Sequence, residues 1–302
     1  MLIHTLPIPN SLTLTAEPLT PTAFSPFGSV LANPAPERRP HNTPASSLPP
    51  GYGAVSANQG TAIQYRALAP PLRNLYDQAP SRKPATPRTT MFVCGARQLL
   101  PDSEENQDQD RAKDKRSHKQ KQKQKHKRAA HSRDSSNSSD SSSGSRSSPE
   151  AGLFPLQILE RHPYTAQTFI PLGASSKSHY LVIVAPSLPP TEAAGDLPVP
   201  TGKDLPGRGL PDLSGLRAFV ATGSQAVTYG AGTWHAPMAA LGDAGTAIDF
   251  VVVQFANDEP VEDCQEVALE GGRGKGETEK EKEGEARILV RVPLRRARMS
   301  KL

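Results

Sequence analysis

Cysteine is scarce: Cys94 and Cys264 are the only two in 302 residues, far apart and without CxxC spacing. A disulfide framework is therefore not expected, and both read as reduced structural thiols. Aromatic residues make up 5% and apolar residues 35% of the chain. That is too little to bury every segment around a core, so part of the length is expected to be disordered. No apolar run reaches the length of a membrane span, and MLIHTLPIPN lacks the basic-then-apolar order of a secretory signal. Helical periodicity is nearly missing. What remains is the expectation of a soluble, intracellular, strand-rich protein.

Proline is plentiful, at 31 residues, and the formal net charge is +5. The charge is concentrated, however: Arg111 to Arg133 carries +10 and Arg287 to Lys301 carries +6, so the rest of the chain stands at −11. The high pI describes an insertion and a tail, and no basic face on the folded body follows from it. The basic run also lacks the interleaved aromatics of a base-stacking surface, so nucleic acid is not the expected partner. Ser300-Lys301-Leu302 matches a peroxisomal import tripeptide. Peroxisome is the expected location, with cytoplasm as the alternative.

Composition marks the boundaries. Residues 1–101 and 153–270 read as two parts of one β-domain, interrupted at 102–152 by a basic, Ser-rich, disordered insertion. A charged loop at 271–285 precedes a closing strand at 286–294 and a basic tail at 295–302. Strands are expected from Leu12 to Ala16 and Gly28 to Ala32, with one helical turn around Pro21 to Phe24 between them. SANQGTAIQYR and MFVCGARQL add two more. LQIL and YLVIVA, then LRAFVATG, QAVTYG, TWHAPM and IDFVVVQF, follow at the close spacing of an antiparallel sheet. Such regular strands with glycine turns suggest an all-β sandwich or barrel.

Two segments carry chemistry. Glu160-x-His162-x-x-x-x-Gln167 runs on to Gly173, and Gly232-x-x-His235 follows Tyr229. On a strand, residues i and i+2 face one side, so Glu160 and His162 can point together into a cavity. Arg161, between them, would face the other way by strict alternation. Its guanidinium nonetheless suits a carboxylate, so its direction stays open between the cavity and an outward salt bridge to another subunit. Trp234 reads either as packing or as a stacking surface.

The two motifs resemble the paired ligand motifs of the cupin superfamily, with glutamate and glutamine where histidine and glutamate are usual. More closely, LERHPYTAQTFIPLG, LRAFVATGSQAVTYGAGTWHAPM, IDFVVVQF and AEPLTPTAFSPFGSVL resemble the ureidoglycolate lyase family. The resemblance implies a cupin-like jelly-roll or β-barrel, a homodimer and a divalent cation such as Ni²⁺. It also implies cleavage of (S)-ureidoglycolate to glyoxylate and urea, in allantoin and purine catabolism. On that reading His162, Gln167 and His235 are metal candidates. His235, Glu160 and Tyr229 are catalytic candidates, with either His235 or Glu160 as the base. Arg161, Asn58, Gln59 and Trp234 are candidates for binding substrate. The alternatives are a related ureide amidohydrolase, or a non-catalytic cupin module whose basic insertion contacts nucleic acid.

Overall fold

The structure is a computed structural model that describes residues 1–48, 51–102, 151–190, 197–271 and 286–293. The basic run Arg111 to Arg133, nearly all of the charged loop and the tail from 294 onward lie outside the described residues. Among the described residues no helix is long and apolar enough to cross a membrane.

Strands β1 (Leu2–Ile8), β2 (Leu12–Thr15) and β3 (Glu17–Pro18) precede one helical turn, α1 (Pro21–Phe24). The Thr20 hydroxyl accepts the Ala23 N–H at the start of that turn, and Pro21 presets its backbone angle. Next come β4 (Gly28–Ala32), the hairpin of β5 (Ala54–Ala57) and β6 (Ala62–Tyr65), and the long β7 (Thr86–Gly95). The middle of the chain forms β8 (Leu100–Pro101), β9 (Ala151–Leu156), β10 (Ile158–Arg161), β11 (Gln167–Leu172) and β12 (His179–Ala185). It continues through β13 (Arg217–Thr222), β14 (Gln225–Tyr229), β15 (Trp234–His235), β16 (Ala239–Leu241) and β17 (Ala247–Ala256). A second helical turn, α2 (Pro260–Asp263), leads to β18 (Gln265–Gly271), and β19 (Ile288–Pro293) comes last. Strands thus dominate, as the alternating and short apolar runs require.

The chain divides into two compact units, Met1–Gln98 with Pro155–Val290, and Leu99–Phe154 with Arg291–Leu302. In the second unit β8 and β9 pair antiparallel, with Leu100 opposite Leu153 and Pro101 opposite Gly152. There the Arg291 Nε donates to Asp102 Oδ2 at 2.5 Å.

The first unit holds two large sheets. One runs β1-β18-β10-β15-β12-β13-β3, with β16 also paired to β12; the other runs β4-β14-β11-β17-β7. Their facing side chains make one core: Tyr180, Val182 and Val184 of β12 and Phe219 of β13 meet Val227 of β14, Phe169 of β11 and Phe250 and Val252 of β17. Strand β12 lies inside its sheet and is buried on both faces from Tyr180 to Ala185, which explains its unbroken apolar run. Phe24 of α1 plugs this core, edge-on to Phe219 and Tyr229. This is the all-β arrangement expected from the strand pattern, and it fits the cupin-like fold that the family resemblance implies. Strands β1 and β18 were not expected; they pair in parallel, with Leu2 opposite Glu266 and Ile8 opposite Gly271, and a parallel pair so distant in sequence has no local turn to announce it.

Candidate active site

The site is built on β10, which lies between β15 and β18. Glu160 stands opposite His235 on one side and opposite Glu266 on the other. His162 follows just past the strand, so the i, i+2 spacing does bring Glu160 and His162 together. His235 arrives on a strand of only two residues, and a glycine makes its approach possible. Gly232 has φ +79 and donates its N–H to the His162 carbonyl at 2.8 Å. A Cβ there would sit 3.2 Å from Pro206 Cγ, so both the left-handed backbone and the space favour glycine.

Hydrogen bonds set the form of both imidazoles. His162 Nδ1 lies 2.6 Å from the Asp263 carbonyl, and His235 Nδ1 lies 2.9 Å from the Thr233 carbonyl. A carbonyl can only accept, so each Nδ1 carries the proton and each Nε2 presents a lone pair. Neither Nε2 has a hydrogen-bond partner although both are buried. The same holds for Gln167 Oε1 and Tyr229 Oη. Buried polar atoms are rarely left unpaired, and four of the five such side-chain atoms among the described residues belong to this group; the fifth is Ser187 Oγ.

These side chains form one cluster. The His162 and His235 rings lie 5.5 Å apart, and His235 stacks on Tyr229 at 3.9 Å with 14° between planes. Gln167 stands opposite Tyr229 across the pair of β11 and β14, and its amide donates to Gln254 Oε1 at 2.6 Å. That bond turns the Gln167 carbonyl oxygen away from Gln254. Glu160 Oε1 lies 3.6 Å from His235 Nε2.

Burial dominates the electrostatics. It pushes the Glu160 carboxyl up to about 7, with help from the neighbouring Glu266 charge. His235 is lowered to about 3, by burial first and by His162 second, and burial also lowers His162. Both rings are therefore neutral near pH 7, in the form that binds metals. Tyr229 is raised well above its ordinary value by burial, so it can donate a hydrogen bond but releases its proton reluctantly. Cys264 is held up to about 12 by burial and by Glu160. Although Cys264, Glu160 and Glu266 bring ligand atoms within 4.8 Å of one another, this thiol stays protonated and is a poor nucleophile.

Not every expected residue joins the cluster. Arg161 is fully buried on the other side of the strand: its Nε donates to Gln265 Oε1 at 2.8 Å, and its terminal nitrogens donate to the Gly209 and Arg208 carbonyls at 3.0 and 3.3 Å. The guanidinium lies 4.4 Å over the Trp234 ring, and burial lowers its pKa to about 10. Neither the substrate contact nor the outward salt bridge considered for Arg161 matches these contacts; strand alternation turned the side chain away, and the loop carrying Arg208 and Gly209 covered it. Trp234, also donating to the Gly209 carbonyl at 3.2 Å, packs with Arg161 instead of lining the cluster. Asn58 and Gln59 form the exposed tip between β5 and β6, at φ 49 and φ 55, and make none of the cluster's contacts.

Sequence reasoning missed Glu266, Gln254 and Asp263. Asp263 is held through its carboxylate by the Tyr76 hydroxyl at 2.6 Å and by the Asn257 and Asp258 amides at 3.0 and 2.8 Å. This grip places the carbonyl that sets the His162 tautomer. The alternation in QEVALEG was the available signal for Glu266, but only its pairing with β10 gives that signal meaning.

The donor set suits a divalent cation. Glu160, His162 and His235 bring ligand atoms within 4.8 Å of one another, and the Gln167 carbonyl is a further unpaired oxygen. Imidazole nitrogens with oxygen donors fit borderline ions such as Ni²⁺, Mn²⁺, Fe²⁺ or Zn²⁺.

A family model matches most of the chain, and curated proteins match about two fifths of it. The family model described as ureidoglycolate lyase matches residues 11–273. A ureidoglycolate lyase of Schizosaccharomyces pombe is 38% identical over 122 residues, covering 40% of this chain and 53% of that protein. Its counterpart in Saccharomyces cerevisiae is 42% identical over 115 residues, covering 37% and 49%. One from Burkholderia cepacia is 37% identical over 125 residues, covering 41% and 55%. The chain thus spans about half the length of the curated relatives it matches. With a family match running through both halves of the site, from β10 to β15, the chain belongs to the ureidoglycolate lyase family.

Proposed function

We propose that this chain is a carbon–nitrogen lyase that splits ureidoglycolate into glyoxylate and urea. One observation carries the reading: four buried, unpartnered polar atoms, on His162, Gln167, Tyr229 and His235, gather beside a carboxyl group whose pKa is raised to about 7. Unpaired buried lone pairs are costly in a folded chain unless a ligand uses them.

The reaction takes a proton from the substrate hydroxyl, turns the C–O bond into C=O, breaks the C–N bond and returns a proton to the departing urea nitrogen. Glu160 is the base. Its pKa near 7 matches the working range, whereas His235 at about 3 is too weak a base. Once protonated, Glu160 can return the same proton to nitrogen, so the carboxyl is regenerated within the cycle. Tyr229 donates a hydrogen bond to the substrate, because burial keeps its hydroxyl protonated. His162, His235 and Gln167 would hold a divalent cation, which when bound would supply Lewis acidity toward the substrate. The working unit is a homodimer, as the family resemblance implies.

The test is an assay of purified protein with ureidoglycolate. Glyoxylate and urea in equal amounts are expected, and ammonia in place of urea would mark an amidohydrolase. Glu160→Gln should lower kcat by about 10²–10⁴-fold, and His235→Ala should reduce turnover and bound cation together. Full activity in His235→Ala would sink the proposed site.

A further inference from the structure

Strand β7 is the last of its sheet. It pairs with β17 over ten residues, from Thr86 opposite Ala256 to Gly95 opposite Ala247, and among the described residues no strand pairs with its other edge. Natural edge strands are usually blunted by charge, by proline or by shortness. Here Pro87 and Arg88 stand only at the beginning, and Thr89 to Gly95 reads TTMFVCG with no charge at all. Met91, Phe92 and Val93 are 53%, 48% and 69% exposed.

These three do not lie on one face. Met91 and Val93 point outward, in line with the exposed Ile170 and Leu172 across the sheet, through the pairs Met91–Val251–Ile170 and Val93–Asp249–Leu172. Phe92 points inward, packed against Phe169 at 5.9 Å at the rim of the core, yet stays half open because the sheet stops there. A partner that covers both faces must add a strand along the edge; docking on either face alone would leave the other uncovered.

We propose that two copies of this chain join through the free edges of β7, antiparallel about a two-fold axis at Phe92, merging two five-stranded sheets into one of ten. The inference rests on the homodimer reading above and names its surface. The strand is self-complementary in that register. Phe92 meets Phe92 of the second copy on the inner face, Met91 meets Val93 on the outer face, Thr90 meets Cys94 and Thr89 meets Gly95. Side chains placed opposite in an antiparallel pair share a face, so every exposed apolar residue of β7 finds an apolar partner and no like charges are opposed. A two-fold axis generates such an isologous contact without open-ended growth.

Sedimentation of the full chain over a range of concentrations should show a dimer. Phe92→Lys places two cations at the axis and should leave a folded monomer, with an unchanged far-ultraviolet spectrum. Thr90→Cys keeps all the apolar contacts and tests the register directly. Antiparallel partners have Cα atoms about 4.5–5.5 Å apart, within disulfide range, so mild oxidation should link it to the native Cys94 of the second copy as a covalent dimer. Cys94→Ser added to it should abolish that link. If Phe92→Lys does not fold, the Thr90→Cys result decides alone. A monomeric wild type would overturn the two-copy assembly itself. A dimer that survives Phe92→Lys, or that gives no Thr90→Cys link, would overturn this interface and leave the assembly standing. The lyase reading is tested separately by turnover.

Discussion

At the level of single residues, the proposed chemistry turns on Glu160. Burial and the Glu266 carboxylate opposite it raise its pKa from 4.5 to about 7, so its charged form is disfavoured in the fold relative to the unfolded chain. Between pH 4.5 and 7 the folded state holds the extra proton, and stability falls as pH rises through that window. Glu160→Gln should therefore stabilise the fold at pH 8 by on the order of 1–3 kcal/mol, lose that gain below about pH 4.5, and slow turnover; denaturant titrations at both pH values check it. A variant less stable at pH 8 would contradict the assignment. The proposed reaction needs the carboxylate, so the rate should fall as pH drops through the Glu160 pKa, which burial sets at about 7 and a bound cation beside it would bring lower. Glu266→Gln removes the neighbouring negative charge and should move that acid limb to lower pH, which a pH–rate profile reads out.

At the level of elements, short pieces do the placing. Gly232 turns the chain so that the two-residue β15 can deliver His235, and its φ of +79 admits a side chain only with strain. Gly232→Ala should cost about 1–2 kcal/mol, measured as a lower midpoint of thermal unfolding. Its kcat should fall further than the unfolded fraction explains, since His235 lies three residues on. Equal losses of activity and folded fraction would show that the turn serves stability alone. Strand β10 works on both faces: Glu160 serves the cluster, while on the other side Arg161, whose Nε donates to Gln265, and Trp234 clamp the carbonyls of Arg208 and Gly209. Helical turn α2 is placed the same way, since Tyr76 and the amides of Asn257 and Asp258 hold Asp263 against His162.

At the level of the whole molecule, every residue of the cluster among the described residues lies between 160 and 266. Deleting Arg111 to Arg133 should leave kcat/KM within about twofold while removing +10 of charge. Any affinity for RNA or DNA should disappear with it, together with its salt dependence; a large loss of turnover would show that the run reaches the substrate. The sequence by itself determined the strand-rich class, because short β-branched runs between turn residues have no better use than a sheet. It also determined that Glu160 and His162 share a side, since a two-residue repeat is a property of any strand. Tertiary structure alone decided the rest. The carbonyl holding His162 comes from a residue 101 positions away, the charge that tunes Glu160 comes from a strand with no local link to it, and the loop that buries Arg161 begins beyond β12. Such choices belong to pairings between distant segments, and that β7 has an unpaired edge among the described residues is visible only once the other strands have found their neighbours.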